Sequence, residues 1–576
     1  MEHAPYAQGL KYLWQLPAAD QEAIHAIAMK YNLAVPVAQV LAARGFTTEE
    51  AIDSFLFSSL ERDVPHPALL KDAGRAVERI LKAIENKEKI LICGDYDVDG
   101  ITSSSLMLLC LMPLGAQINF FLPHRVKDGY GLSEKVIKRA HQNGYKLVIT
   151  VDNGITAFGA AELAKKLGID LVITDHHRPH DHVPEAFAII NPHQNDCAYP
   201  YKYLAGVGVS FKILSLLYEK LGKPLPAKVY ELLMLGTIAD VVPLTGENRY
   251  WVRYGLQYVN KVESYAFKVL KQNGNVTKSL LNASDIGFSI APQLNALGRL
   301  EDARDGVRFL IGSDQGNVNQ VGKVLFELNQ ARKEIERGIY QEIVQQVESG
   351  KINLAHENII IAASHSWPPG VIGLVASRIV GKYGRPTILF HATKDGLVKG
   401  SCRSIPGFNM FDALHDNKEL LKSFGGHAMA AGLALTLENL PELKRRLEKL
   451  IIEQLKPEDL VQKLELDAEV KLSELNGKLV ADMRHLEPFG NSNVEPTFYV
   501  REVTQVSPPT LMKDQHVKCQ VFASGVIKPL VFFNRPELFE SLLEMNNKTF
   551  DVAVKISENH WNGRVSVEMI GVDIKI

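Results

Sequence analysis

The segment Gly94-Asp95-Tyr96-Asp97-Val98-Asp99-Gly100 places three carboxylates at alternate positions directly behind the apolar run Ile90-Leu91-Ile92-Cys93. Three further pieces share that arrangement. Asp152-Asn153-Gly154 follows Leu147–Val151, Asp175-His176-His177 follows Leu171–Thr174, and Asp240 closes the apolar stretch Gly236-Thr237-Ile238-Ala239. Asp97 and Asp99, two residues apart in a strand-to-loop segment, would project to one side. Carboxylates so placed repel one another unless a cation neutralises them. Asp152 and Asp240 add two more acids, and His176 adds a nitrogen. Two divalent ions about 3.5–4 Å apart, bridged by one carboxylate, would resolve that charge. Hard oxygen ligands mixed with imidazole suit manganese or magnesium.

Each motif alone has an ordinary reading. Asp-x-Asp is commonly a solvated turn, Asp-Asn-Gly a plain turn, and Asp-His-His one core histidine beside a surface one. Their order, each behind an apolar run where a parallel strand would end, favours a ligand site, because open α/β sheets bind ligands at the carboxyl ends of their strands.

The elements that would position these residues are legible in the same text. Between about 89 and 191, strand-like runs (90–93, 118–122, 147–151, 171–174, 188–190) alternate with helical stretches near 102–111, 133–143 and 156–167. Such alternation predicts a parallel sheet covered on both faces. Residues 204–310 read mainly helical. Apolar residues from Val318 to Val347 recur at three- and four-residue steps with no internal proline, predicting one long amphipathic helix, a strut between two domains or a surface helix of one. A second α/β pattern fills about 358–455. After Pro457, short strands separated by turns such as Asn562-Gly563 predict a small all-β barrel. The expected fold is therefore α/β, a parallel-sheet domain and a smaller α/β domain joined by a long helix, with a C-terminal barrel. The boundaries are an N-terminal segment 1–45, a catalytic domain 46–312, the connecting helix 313–350, a substrate-binding domain 351–456 and a barrel 457–576.

Composition sets limits. The formal net charge of -2 gives no global basic signature, so an anionic polymer would need a local groove among the 64 Lys and Arg residues. Five scattered cysteines without a CxxC pair argue against a disulfide scaffold and a structural zinc site. Met1-Glu2-His3-Ala4-Pro5 does not begin a secretory leader, and no run approaches the roughly 18 apolar residues of a membrane helix. A cytoplasmic chain with no membrane partner is expected.

The order DYDVDG, VDNG, TDHH and GTIADVVPL resembles the four motifs of the DHH phosphoesterase superfamily. Gly400-Ser401-Cys402-Arg403-Ser404 and Phe424–Gly432 resemble its associated second domain. Gly129-Tyr130-Gly131-Leu132, Asn295-Ala296-Leu297-Gly298-Arg299 and Pro488-Phe489-Gly490 are similar to the RecJ branch, bacterial 5′→3′ exonucleases specific for single strands. The resemblance runs from about residue 45 to the C-terminus.

It implies two divalent ions, Mn2+ preferred or Mg2+, held by Asp97, Asp99, Asp152, His176 and Asp240, with Asp152 bridging. Asp95 would join that cluster, His177 would sit beside the scissile phosphate, and Asp175 would orient a histidine ligand. Cys93 stands where wider relatives carry a histidine ligand. Arg125, Arg299, Ser401, Arg403 and His427 would bind substrate, while Gln293 stands where a basic phosphate contact is implied. The barrel would be an OB-fold, with Phe498, Tyr499, Phe522, Phe532 and Phe533 as its aromatics. The implied function is release of 5′-mononucleotides from single-stranded DNA in repair and recombination, with single-strand-binding protein and a helicase as partners. The alternatives are a DHH phosphodiesterase of cyclic dinucleotides or very short RNA, and a catalytically dead nucleic-acid-binding scaffold.

Overall fold

A five-stranded parallel sheet carries the acidic motifs at its carboxyl edge. The computed structural model describes residues 6–17, 20–125, 128–129, 131–545, 548–561 and 564–576. The extreme N-terminal Met1–Pro5, Tyr130 of the Gly-Tyr-Gly-Leu motif and the Asn562-Gly563 turn lie outside the described residues. The chain forms two units: residues 59–454 with 490–493, and residues 1–58 with 455–489 and 494–576.

In the larger unit, β1 (Lys89–Cys93), β2 (Gln117–Phe121), β3 (Tyr145–Val151), β4 (Asp170–Thr174) and β5 (Ala188–Ile190) pair in parallel in the order β2-β1-β3-β4-β5. Both faces are buried, which explains the near-continuous apolar runs. Ile90, Ile92, Leu147, Ile149 and Val172 enter the core on one face; Leu91, Val148, Leu171 and Ile173 enter that on the other. The first core also takes residues of α1 (Val98–Leu111). Helices α2 (Glu134–Gln142) and α3 (Phe158–Lys166) contribute to the second. Strand order reverses between β1 and β3, a topological switch point where ligands collect.

Helical chain follows from α4 (Gly206–Lys220) and α5 (Val229–Ala239) to α6 (Ala291–Leu300). The 34-residue α7 (Gln315–Glu348) is about 51 Å long at 1.5 Å per residue. Its Val318 and Leu325 enter the core under the first sheet, whereas Ile339 and Ile343 enter that of the second α/β layer. One helix is thus fixed in two cores.

That second layer contains β6 (Ile360–Ser364), α8 (Pro369–Tyr383), β7 (Thr387–Ala392), β8 (Leu397–Arg403), β9 (Leu421–His427) and β10 (Ala430–Thr436). Its sheet order is β9-β10-β8-β7-β6, with only β6 and β7 parallel. Ser401 and Arg403 lie at the end of strand β8, and Gly425-Gly426-His427 forms the end of β9. Small residues hide the strand pattern in both segments, yet period-two alternation still sets Ser401 and Arg403 on one face.

In the smaller unit, Phe498–Gln505 pairs with both Thr549–Trp561 and His516–Ala523, closing a barrel completed by Val526–Phe532 and Arg564–Lys575. Helices Gln21–Tyr31, Val35–Ala43 and Glu49–Leu56 share its core through Ile24, Val37, Leu41 and Phe55. Of its five candidate aromatics, Phe498, Tyr499 and Phe532 are buried, whereas Phe522 and Phe533 are exposed. Among the described residues no helix is long and apolar enough to cross a membrane.

A buried ion pair anchors α4. Lys212 Nζ lies 2.7 Å from Glu247 Oε1 and also donates to the Pro65 carbonyl, while Glu247 accepts from the Tyr199 hydroxyl and Trp251 Nε1. Removing one partner strands a buried charge, so Glu247→Ala should cost about 3–5 kcal/mol in urea unfolding. Lys212→Met/Glu247→Leu should recover most of that loss. A cost below about 1 kcal/mol for the single variant, the size of a surface ion pair, would contradict the role.

Candidate metal centre

Beyond β1 the backbone folds tightly back into α1. A side chain at Gly100 would lie within 2.6 Å of Asp95 backbone atoms, so glycine is required at that approach. Asp97 is the N-cap of α1, accepting from Gly100 N at 3.1 Å, and Asp99 lies in its first turn. The expected strand-to-loop setting of Asp97 and Asp99 is therefore replaced by a helix start. Asn295 and Gly298 of α6 brace this turn. Asn295 Oδ1 accepts from Val98 N at 3.2 Å, and a Cβ at Gly298 would meet the Tyr96 carbonyl at 2.1 Å.

Asp99 is buried, and its two oxygens accept from Gly206 N (2.6 Å) and Val207 N (2.8 Å) at the amino end of α4. A helix N-terminus favours negative charge. A Cβ at Gly206 would come within 2.6 Å of Asp152 Cβ, so α4 approaches this closely only with glycine there. Asp152 follows β3 with φ +62°, a left-handed conformation disfavoured for aspartate outside functional sites. Asp240 caps the end of helix α5 rather than a strand, which corrects the strand-end expectation for this motif.

His176 Nε2 lies 3.2 Å from Asp152 Oδ1, 3.6 Å from Asp240 Oδ2 and 3.8 Å from Asp99 Oδ2. The ring is held by a hydrogen bond to the Leu204 backbone. Asp175 braces the histidine pair. Its Oδ1 accepts from His177 Nδ1 at 2.8 Å and from both histidine backbone N–H groups, and its Oδ2 accepts from Ile155 N. It therefore orients His177, not the His176 ring. Burial lowers the His177 pKa, but the Asp175 contact and the Asp95 and Asp97 charges outweigh it and hold the group at about 9. Burial, then the His177 charge, pushes His176 down to about 3, leaving a neutral imidazole suited to ligation.

Ligand atoms of Asp95, Asp97 and Asp152 lie within 4.8 Å of one another, as do those of Asp99, His176 and Asp240, and those of Asp152, His176 and His177. Asp152 thus joins the group beside β1 to the group around His176. Burial, reinforced by the neighbouring carboxylates, raises Asp95, Asp152 and Asp240 well above the usual range and takes Asp99 to about 7. Asp95 Oδ1, His176 Nε2 and Asp240 Oδ2 are buried without a hydrogen-bond partner. Orphaned acceptors in so acidic a cluster fit divalent cations. Cys93 is buried at the end of β1, and burial pushes its thiol up to about 12, so a thiolate ligand is disfavoured there.

Cationic groups from both layers gather near this edge. The Arg125 guanidinium stacks 4.5 Å over the Tyr96 ring. Arg299 Nη1 donates to the Gly370 carbonyl at 2.8 Å, joining α6 to the start of α8. Burial and the Arg125 and Arg332 charges lower Arg299 to about 10, while Asp97 opposes the shift. Arg403 donates to the Ser377 hydroxyl (3.0 Å), Ser401 Oγ (3.2 Å) and the Cys402 carbonyl (2.7 Å). His427 is exposed on β9. Gln293, the departure from a basic phosphate contact, is buried and donates to the Leu270 and Ser289 carbonyls, an internal brace.

Sequence reasoning missed Arg332, Ser377 and Gly373. Arg332 sits in the helical repeat of α7 like any surface residue. A Cβ at Gly373 would meet Ser401 Oγ at 2.8 Å, a constraint visible only once α8 lies over β8.

The DHH family N-terminal domain matches residues 89–237, the DHHA1 domain 356–453 and the RecJ OB domain 466–573. Fold and site together define a DHH-type protein with its associated second domain and an OB barrel. The chain is 35% identical over 568 residues to the single-stranded-DNA-specific exonuclease RecJ of Bacillus subtilis strain 168, covering 98% of this chain and 71% of that protein. It is 36% identical over 527 residues to the same-named protein of Escherichia coli K12, covering 87% and 90%. The crystal structure of RecJ in complex with Mn2+ from Thermus thermophilus superposes with a TM-score of 0.83 at 26% identity, covering 98% of this chain and 79% of that one. The chain belongs to the RecJ family.

The geometry separates the two histidines. His176→Ala removes a neutral nitrogen amid three carboxylates, and Mn2+ affinity measured by calorimetry should fall by more than the roughly 10- to 100-fold that follows loss of a group supporting a ligand. His177→Ala, whose ring is tied to Asp175, should leave affinity within about threefold, short of even the smaller loss that follows removal of a group supporting a ligand. Equal losses would contradict the separation.

Proposed function

We propose that this chain is a divalent-metal-dependent exonuclease that degrades single-stranded DNA from the 5′ end and releases 5′-mononucleotides. The position of Asp152 between two donor groups at the sheet's switch point carries the reading. Asp95, Asp97 and Asp152 would hold one ion, and Asp152, Asp99, His176 and Asp240 the other. Bound divalent ions supply Lewis-acid polarisation of the phosphodiester and a lowered water pKa.

The chain's own groups orient the substrate. His177, fixed by Asp175, would donate to a phosphate oxygen. Arg125, Arg299 and Arg403 gather positive charge from both α/β layers, and Ser401 adds a hydroxyl. Arginine suits phosphate because its planar fork donates two parallel hydrogen bonds. Asp175 accepts hydrogen bonds and stays ionised, since the His177 contact outweighs burial and lowers its pKa. Water displaces the 3′ oxygen in line at phosphorus, and the terminal nucleotide leaves.

The closed barrel weighs against a cyclic-dinucleotide substrate, which needs no third domain; OB-folds bind single strands through a basic groove and stacking aromatics. Phe522 and Phe533 are available for stacking. A cytoplasmic role in repair and recombination follows, with single-strand-binding protein and a helicase supplying substrate.

Arg403→Ala tests the directionality. If Arg403 and Ser401 grip the terminal 5′ phosphate, the wild type prefers 5′-phosphorylated strands. A charge-assisted hydrogen bond is worth roughly 1.5–3 kcal/mol, so the variant should lose about ten- to a hundredfold in rate on that substrate. Initial rates on 5′-hydroxyl strands should change little. An equal loss on both would place Arg403 on an internal phosphate.

A further inference from the structure

The Pro488-Phe489-Gly490 motif belongs to no donor group of the metal centre, yet it leads into residues 491–493, which bond to the loop that follows Asp240. Residues 490–493 belong to the larger unit, although the chain on both sides of them folds in the smaller one. There Asn491 makes a reciprocal pair of hydrogen bonds with the chain beyond α5. Its Nδ2 donates to the Val241 carbonyl at 2.7 Å, and its carbonyl accepts from Leu244 N at 2.8 Å. Gly490 lies against Leu244, where a Cβ would meet Leu244 Cδ1 at 2.6 Å. Gly490 and Asn493 close the segment through mutual backbone hydrogen bonds.

The clamped residue is strained. Val241 has φ +58°, the only β-branched residue among the described residues in the left-handed region, and it is 65% exposed. A β-branched side chain is a poor occupant of that region. Little packing holds so exposed a side chain, so the conformation needs another support. Asp240 immediately precedes it, with Oδ2 3.6 Å from His176 Nε2 and no hydrogen-bond partner. Rotation at Val241 into an ordinary conformation would re-aim the chain leaving Asp240. Outlying backbone torsions of this kind persist where surrounding contacts over-determine them, and they gather at functional sites.

We propose that Asn491 is a positioning residue for the metal centre: by clamping Val241 in its left-handed conformation, it holds the Asp240 carboxylate among Asp99, Asp152 and His176. This rests on the reading of Asp240 as a ligand. The role is separable from general stability because glycine adopts a positive φ without cost. A glycine in place of Val241 removes the strain the clamp opposes.

The test is Mn2+ titration calorimetry on the full chain, with no substrate present, for wild type, Asn491→Ala, Val241→Gly/Asn491→Ala and Asp240→Ala. Unfolding midpoints are measured alongside. Asn491→Ala should weaken Mn2+ binding about 10- to 100-fold, the range for residues that support a ligand from behind. Its exposed side chain predicts an unchanged midpoint. The double variant should return to within about threefold of wild type, since its glycine needs no clamp. Asp240→Ala should lose affinity whatever the state of residue 491. Unchanged affinity in Asn491→Ala, or a double variant as weak as the single one, would overturn the clamp while leaving the site reading intact. Full affinity in Asp240→Ala would overturn the site reading and the clamp with it.

Discussion

Mutual repulsion among buried carboxylates is the constraint on which the larger unit depends. Asp95, Asp99 and Asp152 are buried, and Asp240 is largely so, and burial together with neighbouring carboxylates raises the pKa of each. Such a cluster is unfavourable in a low-dielectric interior unless cations and N–H donors offset it. Much of the local architecture supplies those offsets or permits the close approach they require. The amino end of α4 gives Asp99 two N–H donors, Gly100 and Gly206 remove side chains that would block the packing, and Asp152 accepts a left-handed backbone. The parallel sheet makes this possible because its order reverses between β1 and β3, where two carboxyl ends diverge.

Guanidinium groups from both layers answer with the opposite sign. Arg299 feels both Asp97 and the charges of Arg125, Arg332 and Arg403, so the guanidinium groups repel one another and lie within electrostatic reach of the acids. A phosphodiester satisfies both, offering anionic oxygens to the arginines and to whatever cations the acids hold. Helix α7 keeps the two layers in register, since its ends are built into different cores. A hydrogen bond from Arg299 to the Gly370 carbonyl ties them directly.

Legibility in the sequence followed physical periodicity. β1, β3 and β4 are buried on both faces and stand out as apolar runs, and α7 stands out through its repeat. Strand β8 did not, because Gly400, Ser401 and Cys402 are small and its pattern resembles a loop. The acids and His176 were legible as a set. The partner of Asp175 was not, since the sequence places two histidines beside it and only the ring orientation decides for His177. Gln293 looked like a substitution in a phosphate contact, but its environment is set by the Leu270 and Ser289 carbonyls, and backbone acceptors leave no trace in residue types. The N-terminal helices gave no sign that they complete the barrel core, because burial against residues more than 400 positions away leaves no local pattern.

Asp152, a member of two donor groups, is positioned to join two cation sites into one centre. Counting bound Mn2+ per chain by native mass spectrometry, with electron paramagnetic resonance to detect coupling between neighbouring ions, tests it directly. Two coupled ions are expected in the wild type and, in Asp152→Ala, loss of the coupling together with at least one ion. Two coupled ions retained in Asp152→Ala would contradict it, and so would a wild type that binds only one.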